Sequence, residues 1–402
     1  MQRACALALL HHGETVIHNP GISKDDEAAM KIITQLGAKI ISRSPEKIII
    51  HSSGVQPVSD HLHCRESGLS CRMFTGIAAL SKSKLKITGE GSLCTRPMHW
   101  FDQVLPQLGV NFSSNNGLLP LEINGPLLPK NIVVDGSKSS QYLTGLLMAM
   151  AAHAKEEIVI TVNNLNSKPY AELTVQMMQY FGYNITHENF EKFIIKPTDH
   201  FSQSIEITIE SDWSSAAFHI VSAAISGKLL LSGLNANSAQ ADKYILKVLK
   251  QCGASIEWLG KDLLIEKKEL KPFVADCVQC PDLFPALTVL AAACNGTSRI
   301  EGIHRLASKE SSRYDTLKEE FSKTGLQISR DGDVMLVEGR GSISSAETYS
   351  HHDHRIAMAM AIAALLTKEG MQVKEASSVA KSYPEFFRDL QSVGLSVALH
   401  YE

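Results

Sequence analysis

The chain has 402 residues, 44% hydrophobic and 20% charged, with a formal net charge of −3. That length exceeds one compact core and predicts two domains, and the composition excludes a disordered or fibrous chain. The charge balance argues against broad nucleic-acid binding, and no apolar run approaches the ~20 residues of a membrane span.

Six small-residue helices recur along the chain, beginning near Arg3, Ser70, Ser140, Ser215, Phe284 and His354. Each is apolar around most of its circumference, which predicts burial. Interleaved with them, six helical patterns stop at Gly37, Gly109, Gly182, Gly253, Gly325 and Gly394. Successive positions differ by 72, 73, 71, 72 and 69. Glycine just past a helix end supplies a left-handed cap before the chain resumes as a strand. The repeating unit therefore reads as buried helix, strand, outer helix, glycine, strand. Three copies fill 1–210 and three fill 211–402.

Eight cysteines are too few for a disulfide framework in a chain this long. Cys277-x-x-Cys280 lacks the second pair that a zinc site requires, so reduced structural thiols are expected. No signal peptide is recognisable, and a cytoplasmic location is expected.

Polar residues gather at the starts of the buried helices: Arg3, Ser67-Gly68-Leu69-Ser70, Ser139-Ser140-Gln141, Ser214-Ser215, Asp282 and Asp353-His354-Arg355. Each serine pair alone reads as an N-cap. Six such starts in one architecture point instead to a shared anion site, because helix N-termini present unpaired N–H groups and a positive dipole end. Arg96 before Pro97, Lys309 to Arg313, and Lys381 are each expected to open an outer helix, adding cations suited to a multiply anionic ligand. The run His351-His352-Asp353-His354 is not expected to bind metal. Neighbouring ligands at a helix start diverge, and no carboxylate cluster in the sequence completes a shell.

These motifs, in this order, resemble the 5-enolpyruvylshikimate-3-phosphate synthase (3-phosphoshikimate 1-carboxyvinyltransferase) family. The residues that carry the resemblance are Asp135 to Thr144, Ser167-Lys-Pro-Tyr170, Pro281-Asp282, Lys309 to Arg313, Asp353-His-Arg355 and Lys381-Ser-Tyr-Pro384. The resemblance implies an α/β fold of two similar domains, each of three βαβαββ-type units, in an inside-out barrel closing around the substrates. It implies transfer of the enolpyruvyl group of phosphoenolpyruvate to the 5-hydroxyl of shikimate 3-phosphate, through a tetrahedral intermediate, with release of phosphate. Arg3, Ser139, Ser140, Gln141, Ser167, Tyr170, Asp282 and Lys309 would hold shikimate 3-phosphate. Gly68, Arg96, Gln141, Arg313, Arg355 and Lys381 would hold phosphoenolpyruvate. Glu310 is expected to move the proton at the methylene carbon and Asp282 that of the hydroxyl. No metal or organic cofactor, no nucleic-acid or membrane partner, and a monomer are expected.

The sequence departs from the family in places. Ser-Lys-Ser normally precedes the arginine matching Arg3, whereas only Met1 and Gln2 do here. An incomplete N-terminus is therefore expected, and a chain truly lacking that lysine should be catalytically impaired. Ser312 and Arg305 replace an aspartate and an asparagine common in the family. The nearest rival activity is enolpyruvyl transfer to UDP-N-acetylglucosamine; a catalytically dead binding protein and an RNA 3′-phosphate cyclase are weaker alternatives.

Overall fold

The computed structural model describes residues 1–198, 203–307 and 309–399. The chain divides into two compact halves, Met1–Ile209 and Glu210–Glu402. In the first, α1 (Gln2–Leu10) leads into β1 (His12–His18), α2 (Lys24–Gln35), β2 (Lys39–Arg43) and β3 (Lys47–Ser53). The second repeat runs β4 (His61–His63), α3 (Gly68–Ala78), β5 (Lys84–Thr88), α4 (His99–Val104), β6 (Asn111–Asn115) and β7 (Leu118–Asn124). The third runs β8 (Ile132–Asp135), α5 (Ser140–His153), β9 (Ile158–Asn163), α6 (Lys168–Tyr180), β10 (Ile185–Glu188) and β11 (Lys192–Ile195). A last strand, β12 (Ile205–Thr208), returns to pair in parallel with β1 and completes the sheet of the first repeat.

The C-terminal half follows the scheme less completely: its fourth repeat has a three-stranded sheet with no strand before its buried helix, and among the described residues no strand follows Gly394 in its sixth, against the expected glycine-then-strand unit. Its fourth repeat holds α7 (Trp213–Ser226), β13 (Lys228–Leu231), α8 (Ile245–Cys252), β14 (Ser255–Leu259) and β15 (Asp262–Glu266). The fifth holds β16 (Val274–Asp276), α9 (Phe284–Ala293), β17 (Asn295–Glu301), α10 (Arg313–Ser322), β18 (Gln327–Asp331) and β19 (Val334–Arg340). The sixth holds β20 (Glu347–Tyr349), α11 (His354–Ala363), β21 (Gln372–Lys374) and α12 (Phe386–Ser392).

The repeats stack with their sheets outside and one helix each inside. Helices α1, α3 and α5 belong to one core and α7, α9 and α11 to the other. A helix satisfies its own backbone hydrogen bonds, so a sequence such as FPALTVLAAA can sit wholly within a core. The strands instead alternate buried and exposed positions, as in β3 and β7, because one sheet face meets the helices and the other meets water. All six repeat glycines have positive φ, from 79° at Gly325 to 111° at Gly37, as the C-cap reading requires. Two others act through size. A Cβ on Gly145 would lie 2.3 Å from the Met73 carbonyl oxygen, and one on Gly76 would lie 2.9 Å from the Gly145 carbonyl carbon. Helices α3 and α5 therefore cross almost backbone to backbone. Among the described residues no helix is long and apolar enough to cross a membrane.

The topology decides where chemistry can collect. In four repeats the buried helix is a crossover between two parallel strands: β4 and β5, β8 and β9, β16 and β17, β20 and β21. Parallel strands end at the same edge of a sheet, so both loops leaving their carboxyl ends emerge on one side. Every candidate residue of these repeats follows such an end. Gly68 and Arg96 follow β4 and β5, Ser139 and Ser167 follow β8 and β9, Asp282 and Arg313 follow β16 and β17, and Arg355 and Lys381 follow β20 and β21.

Candidate active site

The N-terminal half gathers one set of candidates. Ser67 caps α3, accepting from the Ser70 N–H at 3.3 Å, and Ser139 caps α5, accepting from the Gln141 N–H at 3.2 Å. Gly68 opens α3, and its missing side chain leaves room for Arg96: a Cβ there would lie 2.4 Å from the Arg96 Nη1. The close crossing of α3 and α5 brings Arg72 to Gln141, with its Nη1 donating to Oε1 at 2.8 Å. The same guanidinium lies 5.1 Å from the Tyr142 ring centroid, and its buried Nε has no hydrogen-bond partner among the described residues. Tyr142 in turn donates to the Pro97 carbonyl at 2.6 Å, tying the Arg96 loop to α5. Arg72 lies outside the motifs singled out in the sequence, where its signal is an arginine one turn into an otherwise apolar helix.

Ser167 stands in the left-handed region at φ 56°, immediately before Lys168-Pro169 opens α6. Asn166 donates its side-chain N–H to the Ser137 carbonyl at 2.6 Å, joining this turn to the loop that carries Ser139 and Ser140. Arg3 lies beside α6, 5.9 Å from the Tyr170 ring centroid. Its Nε donates to Thr174 Oγ1 at 2.9 Å, and no carboxylate among the described residues pairs with it. Burial lowers its pKa to about 10, against the pull of Tyr170, so the guanidinium remains charged at neutral pH.

The C-terminal half holds a denser set. Arg313 is 1% exposed and meets three carboxylates: Asp353 (Nε to Oδ2, 2.8 Å), Asp282 (Nη1 to Oδ1, 2.6 Å) and Glu310. Lys309 Nζ donates to Asp282 Oδ1 at 3.1 Å, and Arg355 Nη2 lies 3.4 Å from Asp282 Oδ2. Burial would raise the Asp282 pKa, but Arg355, Lys309 and Arg313 outweigh it and hold the carboxyl well below its usual range. Burial likewise disfavours charge on Arg313, yet Asp353, Glu310 and Asp282 push its pKa up. Lys309 moves the other way, lowered by burial against Asp282. Arg355 Nη1 is buried without a hydrogen-bond partner among the described residues, as are the hydroxyls of Ser378 and Ser382, which flank Lys381. Lys381 itself is buried on a 3-10 turn, Ala376–Lys381, that packs against α11.

Several local expectations need correction. Arg96 does not open a helix: it ends the 3-10 turn Gly91–Thr95, and α4 starts at His99 because Met98 first bonds back to the Gly117 carbonyl. Lys381 ends a turn rather than opening α12, since Pro384 interrupts the path to Phe386. The cap of α7 is Asp212, which accepts from the N–H groups of Ser214 and Ser215, so that serine pair is capped rather than capping. The histidine run also has carboxylates beside it after all. Glu319, Glu320 and His351 place ligand atoms within 4.8 Å of one another. Sequence spacing could not show this because α10 and the loop after β20 meet only in the fold. Glu320 is fully buried, and its oxygens already accept from Lys323 Nζ, His351 Nε2 and the Tyr349 N–H.

The sequence profile of EPSP synthase (3-phosphoshikimate 1-carboxyvinyltransferase) matches residues 1–390. A 3-phosphoshikimate 1-carboxyvinyltransferase of Methanocorpusculum labreanum is 33% identical over 395 residues, covering 98% of this chain and 93% of its own. One from Clostridium perfringens is 34% identical over the same shares. Among solved structures, EPSP synthase from Acinetobacter baumannii is 26% identical with a TM-score of 0.79, covering 98% of this chain and 93% of its own. The enolpyruvyl transferase NikO from Streptomyces tendae, at 16% identity and a TM-score of 0.78, shares the fold. Six related α/β repeats are thus matched over residues 1–390 by one family profile and over 98% of the chain by relatives above 30% identity, and the chain belongs to the EPSP synthase family.

Proposed function

We propose that this chain transfers the enolpyruvyl group of phosphoenolpyruvate to the 5-hydroxyl of shikimate 3-phosphate, releasing phosphate, in the shikimate pathway of aromatic amino-acid biosynthesis. The observation that carries the reading is the C-terminal cluster, in which Lys309, Arg313 and Arg355 surround Asp282 while a buried Arg355 N–H has no partner among the described residues. Asp282, Glu310 and Asp353 balance these cations, so the opening for an anion is the Arg355 Nη1 donor, which a ligand can take without stripping an ion of its partner.

The reaction forms a bond between the 5-oxygen and C2 of phosphoenolpyruvate while the methylene carbon gains a proton, giving a tetrahedral intermediate. That carbon then loses a proton, the C2–O bond to phosphate breaks, and phosphate leaves. Asp282, kept ionised by its three cations, is fitted to accept hydrogen bonds from the shikimate hydroxyls, and the family resemblance makes it the acceptor of the 5-hydroxyl proton. Glu310, held beside Arg313, is the proton carrier at the methylene carbon. Arg96, Arg313, Arg355 and Lys381, with Gly68 and Gln141, stabilise the carboxylate and the departing phosphate. Arg3, Ser139, Ser140, Gln141, Ser167 and Tyr170, with Asp282 and Lys309, hold shikimate 3-phosphate. These groups account for charge stabilisation and proton transfer from side chains alone. Two charged metabolites as substrates support a cytoplasmic enzyme, and we read it as a monomer, which light scattering tests by a one-chain mass.

The test is phosphate release from phosphoenolpyruvate with each acceptor. Release should require shikimate 3-phosphate, and release with UDP-N-acetylglucosamine alone would overturn the assignment.

A further inference from the structure

Three helices of the N-terminal half meet at two buried hydroxyls. Thr174 is 0% exposed and Thr144 1%, and their Oγ1 atoms lie 3.1 Å apart. Thr174 stands four residues after Tyr170 on α6, and Thr144 stands four after Ser140 on α5. Residues at that spacing share a helix face. Each hydroxyl bonds back to the carbonyl one turn earlier, Thr174 to Tyr170 O at 2.9 Å and Thr144 to Ser140 O at 3.1 Å. A threonine hydroxyl has one proton and two lone pairs. With its proton committed to the Tyr170 carbonyl, Thr174 turns its lone pairs toward its other neighbours. One of these is the Arg3 Nε–H, at 2.9 Å.

The consequence falls on Arg3. The guanidinium plane is set by the Nε–H bond to Thr174 on one edge and by the Tyr170 ring on its face. Both terminal nitrogens are then left for an anion, since no carboxylate among the described residues pairs with them. An arginine side chain that could rotate would lose part of its binding energy to ordering; one held at Nε presents its fork ready-made. Apolar packing would be served as well by valine at this position, so the hydroxyl itself is the unexplained feature.

We propose that Thr174 is a positioning residue that orients Arg3 for shikimate 3-phosphate. The inference rests on the reading of Arg3 as a ligand to that substrate, and the experiment separates the two. Calorimetric titration of shikimate 3-phosphate is measured on the wild-type chain and on Thr174→Val, Thr174→Ser and Arg3→Gln, with thermal melting as the control for folding. Thr174→Val keeps the methyl and loses the hydroxyl, whereas Thr174→Ser does the reverse. Thr174→Val should weaken binding roughly ten- to hundred-fold, the size of a lost hydrogen bond to a charged group, with Thr174→Ser close to wild type. A packing role predicts the opposite order, with serine the worse variant, and that result overturns the proposal. If Arg3→Gln weakens binding while Thr174→Val does not, Arg3 is a ligand but Thr174 does not position it. If Arg3→Gln leaves binding unchanged, the ligand reading fails and the proposal falls with it.

Discussion

Arg313 and Asp353 lie side by side, with Nε 2.8 Å from one carboxylate oxygen and Nη2 3.3 Å from the other, both side chains buried. Asp353 also caps α11, accepting from the Arg355 N–H at 3.0 Å. One carboxylate therefore sets the plane of Arg313 and the start of the helix that carries Arg355. Asp353→Asn keeps the cap but removes the charge. It should destabilise the protein by about 3 kcal/mol, the low end for taking a partner from a buried ion, because Asp282 and Glu310 still face Arg313. Urea unfolding measures this, and an unchanged midpoint would show that those two carboxylates suffice.

Acid should act on this half earlier than carboxylate protonation requires. Burial, reinforced by Arg355, lowers the His354 pKa from 6.5 to about 3. Between those values the unfolded chain binds a proton that the native protein refuses, so stability falls as pH drops. The slope is at most about 1.4 kcal/mol per pH unit. The depressed carboxyls of Asp282, Asp353 and Glu320 add their loss only lower, below their ordinary range and down through their native values. Unfolding free energy followed from pH 7 to pH 5 should decline in the wild type and stay flatter in His354→Gln. Equal slopes would refute the assignment.

The crossing of α3 and α5 leaves no room for a methyl group. Gly145→Ala would set a Cβ 2.3 Å from the Met73 carbonyl oxygen and 2.8 Å from its Cα. Backbone cannot rotate aside as a side chain can, so a loss of about 1–3 kcal/mol is expected from overpacking. The melting temperature should drop; Gly325→Ala, which meets nothing within 4 Å but stands at φ 79°, separates strain from crowding.

Arg72 should resist conservative replacement. Its fork holds Gln141 while its face rests on Tyr142, and a lysine cannot do both. Arg72→Lys is expected to lower kcat/KM for phosphoenolpyruvate about ten- to hundred-fold, the value of a lost charged hydrogen bond. Steady-state phosphate release reads this directly, and an effect below twofold would make Arg72 a packing residue only.

The periodic features of this protein were legible from residue order alone. The positions of Gly37 through Gly394 follow helix ends, where the chain turns through a positive φ that glycine adopts freely, and helices such as α9 are apolar on every side, so each declares its environment locally. The cationic and hydroxyl residues at the helix starts were legible for the same reason, since capping and dipole effects act within one turn. What the sequence could not determine was which of them meet. Glu320 and His351 are 31 residues apart, Arg72 and Gln141 are 69, and Arg3 and Thr174 are 171. Arg96 and Lys381 resemble helix starts because a proline follows each, but Met98 bonds back to the distant Gly117 carbonyl and the chain after Lys381 closes on Val379 instead. Pairing over such spans depends on strand order and on helices close enough to touch. Only tertiary structure supplies these, because its parallel strand pairs bring loops far apart in the chain to one edge of a sheet.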